Sequence, residues 1–563
     1  MSTVDPHAFP RETRREFVAK TLMLGAAAML APDGMSAESA PGQRRDASGV
    51  ASGVASGPTL GTAPQDSPFE KSVSELQAMM TRGALTSRTL TEFYLARLDT
   101  LDAKGPTVNS VIERNPDALT IADALDAERA AGRLRGPLHG IPVLIKDNID
   151  TADRMHTTAG SLALATSIAP KDAFIVQRLR AAGAVILGKT NLSEWANYRS
   201  TRSTSGWSGR GGQTKNPYVL DRNPCGSSSG TGAAIAADFA AVGIGTETDG
   251  SIICPSSMNG LVGLKPTVGL WSRAGIIPIS SSQDTAGPMG RTVADVAVLL
   301  GLLTGVDTRD GATAASKGKS RDDYTTALKA DGLRGARIGV ARNLAGFNDT
   351  VDARFEAAID AMAKAGAVIV DKANLTTVGQ FDDAESLVLD YEFKAGVNAY
   401  LASLGAAAPV KSLTELIAWN EKNAAREMPW FAQEIFVRAN ARGALTDRAY
   451  FDARARCVRL ARTEGIDAVM AAHRLDAIIC PSNQPAWPTD PLNGDHFTGG
   501  NTSFAAVAGY PSITVPMGFD HELPLGLSFI GRAWSEATLL TLAYGFEQKT
   551  RARRAPQFLS TLG

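Results

Sequence analysis

Hydrophobic and polar positions along the chain alternate between two periods, and the alternation predicts helices that feed short strands. Ser72 and Glu75 stand at capping-box spacing, Leu76, Met79 and Met80 fall on one helical face, and Gly83 sits where a helix would stop. A second helix is expected over 89–101. Asp172 can cap a helix carrying Ile175, Val176, Leu179 and Ala182 on one side, which ends at Gly183 and enters the apolar run 184–187. The unit recurs where a helix holding Phe355, Ala358, Ile359 and Met362 leads into Ala365-Gly366-Ala367-Val368-Ile369. Two such units predict an α/β fold with helices packed on a sheet. Residues 381–472 lose the strand signal and are expected to form a mainly helical insertion. The β-rich runs return at 477–480 and 512–515 and should rejoin the same core.

Residues 1–68 follow neither period. Arg14-Arg15-Glu16-Phe17, the apolar stretch 21–31 and the small residues around Ser36 and Ala37 resemble a twin-arginine export signal over 1–37. The apolar stretch falls short of the roughly 20 residues that span a bilayer, so no stable membrane insertion is expected. The mature protein is expected to be periplasmic or secreted. Residues 47–57 read ASGVASGVASG, too small-sided to offset the entropy of ordering them, which makes 38–68 a flexible linker and 69–563 a single catalytic domain.

Charge removes one class of partner: 57 Lys+Arg against 58 Asp+Glu leave no basic excess to neutralise phosphates, so no nucleic acid is expected. The four cysteines, Cys225, Cys254, Cys457 and Cys480, are scattered, without a CxxC pair, and read mostly as buried thiols rather than a disulfide framework. Whether Cys225 and Cys254 are thiols or are bonded stays open. The six histidines show no HExxH or other ligand spacing, so neither metal nor cofactor is expected.

Three runs could carry chemistry. Gly183 to Thr190 fits GxxxxGK[ST], but its centre is Ala-Val-Ile-Leu, which reads as a strand after a helix and not as a phosphate loop of free amides. Gly226-Ser227-Ser228-Ser229-Gly230 contains GxSxG with Ser228 at its centre. A nucleophile elbow needs a strand before it, whereas 220–224 is turn-like, and no histidine is marked out as a base. What lifts these serines above a helix-capping loop is Ser251. A helix from Thr231 would advance about 15 Å and the apolar run 240–245 would return about 20 Å, which brings Ser227 and Ser251 to one end of the sheet. Lys146 closes another apolar run, 141–145. On that feature alone a lysine reads as a snorkelling surface residue.

With those residues in view, the chain resembles the amidase signature family through HGIPVLIKDNID (139–150), CGSSSGTGAA (225–234) and GTETDGSIICP (245–255). Further likeness lies in GAVILGKTNLSEWAN (183–197), GLVGLKPTVG (260–269), SQDTAGPMGRTVAD (282–295) and GYPSITVPMG (509–518). The resemblance implies a single domain with a mixed central sheet of about eleven strands surrounded by α-helices. It implies a serine amidase that hydrolyses a carboxamide to an acid and ammonia through an acyl-enzyme. Ser251 would be the nucleophile, Ser227 the bridging serine on a cis peptide bond, Lys146 the base, and the backbone amides of Thr248, Asp249, Gly250 and Ser251 the oxyanion donors. Cys225 and Ile253 depart from the family's usual glycine and arginine at those places, which suggests a subgroup with its own acyl-side pocket.

Within the family, GTETDGSIICP and NLSEWANYRS (191–200) look like the bacterial peptide amidases, which deamidate C-terminal peptide amides. Small aliphatic or aryl amides are the alternative, and a non-catalytic amide-binding protein on the same fold is the alternative of another class. The expected partner is a small-molecule or peptide amide substrate. Export speaks against a component of the tRNA amidotransferase, so no obligate partner subunit is expected. Trp419, Trp430 and Phe431 could line a substrate funnel, although aromatics at such spacing are more often core.

Overall fold

The computed structural model describes residues 67–405 and 408–563, which lie within one compact unit, Ala63–Gly563. The export signal expected at 1–37, and nearly all of the linker, lie outside the described residues. Ser72 caps the helix Val73–Thr81 in a reciprocal capping box with Glu75, burying Val73, Leu76, Met79 and Met80. The next helix starts earlier than its hydrophobic pattern suggests, at Ser87, because Thr86 and Thr89 form a second box there; it runs to Arg97, with one wider turn over Leu98–Asp102.

The strands are β1 (Val111–Arg114), β2 (Pro142–Lys146), β3 (Val185–Thr190), β4 (Trp207–Ser208), β5 (Gly212–Gln213), β6 (Val242–Glu247), β7 (Val262–Lys265), β8 (Thr285–Gly290), β9 (Arg337–Val340), β10 (Val368–Val370), β11 (Ala477–Pro481), β12 (Ser512–Asp520) and β13 (Leu523–Ile530). β4 and β5 pair with each other, and the rest form one eleven-stranded sheet in the order β1-β3-β2-β6-β8-β7-β12-β13-β11-β9-β10. The sheet is mixed. β3, β2 and β6 run parallel, as do β11, β9 and β10, while the centre from β6 through β13 is antiparallel.

β2 and β6 are buried at every position, as strands covered on both faces must be, and their hydrophobic runs are correspondingly unbroken. The helix Ser229–Ala236 lies against them, buried at every residue. It sits close because β6 carries glycines: a Cβ on Gly243 would come within 2.6 Å of the Thr231 methyl, and one on Gly245 within 2.8 Å of Ser228 Oγ. Over 381–472 the elements are helices, the longest being Asp382–Ser403. Among the described residues no helix is long and apolar enough to cross a membrane.

Candidate active site

Adjacent parallel strands deliver their C-terminal ends to the same edge, so β2 and β6 bring Lys146 and Thr246 together. Lys146 is fully buried, contrary to the surface reading of its position. Its Nζ bonds to Ser227 Oγ at 2.7 Å, Thr246 Oγ1 at 3.0 Å and the Thr246 carbonyl at 3.3 Å. Asn148 Nδ2 donates to the same Thr246 hydroxyl at 3.0 Å. Burial disfavours the ammonium and pushes Lys146 down to about 7, while the nearby carboxylates of Asp284 and Glu247 pull the other way. A neutral amine in this place keeps two protons for the Thr246 oxygens and offers its lone pair to the Ser227 hydroxyl.

Ser227 follows a cis peptide bond from Gly226 and is fully buried. Its neighbours are engaged elsewhere. Ser228 Oγ donates to the Thr246 carbonyl at 3.0 Å and accepts from the Thr246 N–H at 3.2 Å, and Ser229 Oγ donates to the Cys225 carbonyl at 2.6 Å. Of the three serines, Ser227 is the one that meets Lys146, and Ser228 acts as a pin between loop and strand. GKT likewise serves packing: Lys189 lies in β3, its Nζ bonded to the Ile149 carbonyl at 2.7 Å and Thr157 Oγ1 at 3.0 Å.

Ser251 lies in the turn between β6 and the helix Ile253–Met258. The Ser228 N–H donates to the Ser251 carbonyl at 3.2 Å, which joins this turn to the serine loop. Gly250 has φ +78°, a conformation in which a side chain would be strained, and a Cβ there would meet Thr502 Oγ1 at 3.0 Å. Asp249 turns its carboxylate away, accepting from Thr502 Oγ1 and Ser503 Oγ at 2.6 Å each. Glu247 Oε2 accepts from the N–H groups of Ile252 and Ile253 at 2.7 and 3.0 Å, which fixes the start of the following helix. Among the described residues, the N–H groups of Thr248, Asp249, Gly250 and Ser251 have no hydrogen-bond acceptor.

The cysteines answer a question that the sequence left open. Cys225 and Cys254 form a disulfide, with Cα atoms 5.9 Å apart, while Cys457 and Cys480 are buried free thiols. The bond joins the loop before Ser227 to the helix after Ser251. Cysteine spacing does not disclose it, because the helix Ser229–Ala236 and β6 run out and back between the partners.

A cavity of about 200 Å³ opens beside Thr246 and Thr248, walled also by Asn148, Ile276, Ile279 and Asp284. Trp419, Trp430 and Phe431, which could have lined a funnel but were read as more often core, are not part of it. Phe431 packs edge-on to Trp207 at 5.1 Å and under the Arg199 guanidinium at 4.3 Å, Trp419 packs against the core around Phe393 and Phe436, and Trp430 is exposed. Sequence reasoning missed Thr246, Asn148 and Asp284 as neighbours of the lysine. All three lie inside the quoted motifs; Asn148 and Thr246 stand two residues from Lys146 and Thr248, which was the available signal, whereas Asp284 reaches the lysine from a motif with no named group beside it.

An eleven-stranded mixed sheet with a buried lysine bonded to a loop serine defines the class, and the chain belongs to the amidase signature family: the Amidase family model matches residues 89–540. It is similar to the crystal structure of native peptide amidase from Stenotrophomonas maltophilia, at 54% identity and TM-score 0.84 over 87% of this chain and 99% of that one. It is 40% identical over 500 residues to a probable amidase of Arabidopsis thaliana, covering 87% of this chain and 92% of the relative. It is 36% identical over 526 residues to a putative amidase of Schizosaccharomyces pombe, covering 87% of each chain. The chain is an amide-hydrolysing enzyme.

Proposed function

We propose that this amidase removes the C-terminal amide of peptides, through an acyl-enzyme on Ser251 with Ser227 as relay and Lys146 as base. The observation that carries the mechanism is a fully buried amine, held near neutrality, bonded to Ser227 Oγ at 2.7 Å. A serine hydroxyl becomes a useful nucleophile when a base takes its proton, and the burial that pushes Lys146 down to about 7 suits it to that role. Ser251 Oγ attacks the amide carbon, its proton passes to Ser227 Oγ, and the Ser227 proton passes to Lys146 Nζ. The negative charge on the former carbonyl oxygen falls to the N–H groups of the 248–251 turn, which have no other acceptor among the described residues. Collapse breaks the C–N bond while the relay returns the proton to the leaving nitrogen, releasing ammonia. Water then attacks the ester, hands its proton to the same relay, and leaves the acid and a restored Ser251.

The peptide-amide substrate is supported by the 54% identity to a peptide amidase. Export to the periplasm or beyond is supported by Arg14-Arg15 and by a buried disulfide, a bond that persists in oxidising compartments. The test is an ammonia-release assay across C-terminal peptide amides, aliphatic amides, aryl amides and glutamine. Peptide amides should show the highest kcat/KM. Ser251→Ala should lose roughly 10⁴-fold or more and fail to take a fluorophosphonate label, Lys146→Ala should approach that loss, and Ser227→Ala should retain more activity. A Lys146→Ala enzyme with the parent rate at neutral pH overturns the base assignment, and a preference for small amides overturns the substrate.

A further inference from the structure

The helix Asp382–Ser403 reaches the proposed oxyanion turn through a short chain of contacts. Each carbonyl that precedes one of three free N–H groups is held from outside the turn. The Glu247 carbonyl accepts from Thr285 Oγ1 at 3.4 Å, the Thr248 carbonyl from Gln283 Nε2 at 3.3 Å, and the Gly250 carbonyl from the Cys254 N–H at 2.7 Å. In a trans peptide the N–H points opposite the carbonyl, so holding these three carbonyls aims the N–H groups of Thr248, Asp249 and Ser251 the other way. Two of the holders belong to the local fold, being a neighbouring strand and the first turn of a helix. The third, Gln283, is a side chain in a loop and needs a partner of its own to stay in place.

That partner is Glu385, whose Oε1 accepts from the same Gln283 Nε2 at 2.8 Å. Seven residues on, about two turns along one face of the helix, Glu392 holds the same loop by accepting from Ser280 Oγ and from the Ser282 N–H at 3.0 Å. Tyr450 OH fixes the other Glu392 oxygen at 2.7 Å. Glu385 is also buried against the carboxyl of Asp249, and burial together with that neighbour raises it well above the ordinary glutamate range.

We infer that Gln283 and Glu385 are positioning residues for the reaction: Glu385 fixes the Gln283 amide, and Gln283 aims the Asp249 N–H at the oxyanion by holding the Thr248 carbonyl. The inference rests on the proposed role of the 248–251 turn. Losing an oxyanion donor outright costs about a hundred- to a thousandfold in rate, so a donor that is present but loosened should cost about ten- to a hundredfold. The experiment measures kcat and KM on one peptide amide for the parent, Gln283→Leu, Glu385→Leu, Glu385→Gln and Ser251→Ala, with thermal unfolding of each. Gln283→Leu and Glu385→Leu should lower kcat about ten- to a hundredfold with KM within about twofold, since the transition state alone uses the donor fully. Glu385→Gln, whose amide oxygen still accepts from Gln283, should stay within about threefold of the parent. The double variant Gln283→Leu/Glu385→Leu should be no slower than the worse single one, because both act through one carbonyl. If Glu385→Leu does not fold, Gln283→Leu carries the test. An unchanged kcat in Gln283→Leu beside an inactive Ser251→Ala overturns this inference and leaves the site reading standing. Turnover in Ser251→Ala overturns the site reading itself.

Discussion

Lys146 shows how one residue type acquires a property from its surroundings. Its sequence neighbours, an apolar run before and Asp147-Asn148 after, suit a surface lysine as well as a buried one. Register decides the matter by placing β2 between β3 and β6, so that the amine is closed off from solvent. If Lys146, lowered from 10.5 to about 7, is the base as proposed, it must be neutral to act, so kcat/KM should fall about tenfold per pH unit below about 7 and level off above it. The same proton appears in stability. Between about 7 and 10.5 the unfolded chain holds a proton at this position that the folded chain has released, so stability rises with pH there, by at most about 1.4 kcal/mol per unit. Lys146→Met removes that slope. Urea unfolding at pH 7, 8 and 9 should show the Met variant's advantage shrinking as pH rises, and a constant difference would show that Lys146 does not titrate in this window.

Elements with local causes were legible in the sequence. The helix Val73–Thr81 was readable because Ser72, Glu75 and its apolar face lie within one another's reach, and the position of Gly83 marked its end. Elements ended by tertiary contact were less so. The helix after the serine loop stops at Ala236, sooner than its run of small residues suggests, and β6 starts at Val242 and continues to Glu247, beyond the apolar run. Gly243 and Gly245 let this helix and strand approach closely, a contact between separate segments that composition cannot show. The disulfide was hidden for the same reason, and its removal is a test at this scale. Closing a loop with a separation of 29 residues stabilises the fold by about 3.5 kcal/mol in the chain-entropy account, and here it also ties the Ser227 loop to the Ser251 helix. Cys225→Ser/Cys254→Ser should therefore unfold at lower temperature and lose kcat more than it gains in KM. A double variant matching the parent in unfolding midpoint and in kcat would show the bond to be dispensable to both.

At the scale of the molecule, the α/β class was legible from helix-to-strand units, and the sheet's strand order was not. β7 pairs with β12, joining Leu264 to Ile513, and neither strand carries any mark of its partner. The two features that support the proposed export are also far apart in sequence: Arg14 and Arg15 stand near the N-terminus, and the Cys225–Cys254 bond in the core. They share a consequence, since a chain that leaves the cytoplasm can form and keep a disulfide, whereas a chain retained among reducing thiols should not hold one. Arg14→Lys/Arg15→Lys should thus accumulate with the cytoplasmic fraction. After denaturation without reductant, four cysteines of the retained chain should accept a maleimide, against Cys457 and Cys480 alone in the parent, whose export is the proposal under test. Fractionation followed by mass measurement reads both effects at once. A lysine-pair variant recovered from the periplasm as fully as the parent would remove the arginine pair as the address, and four reactive thiols in the exported parent would remove the disulfide as its companion.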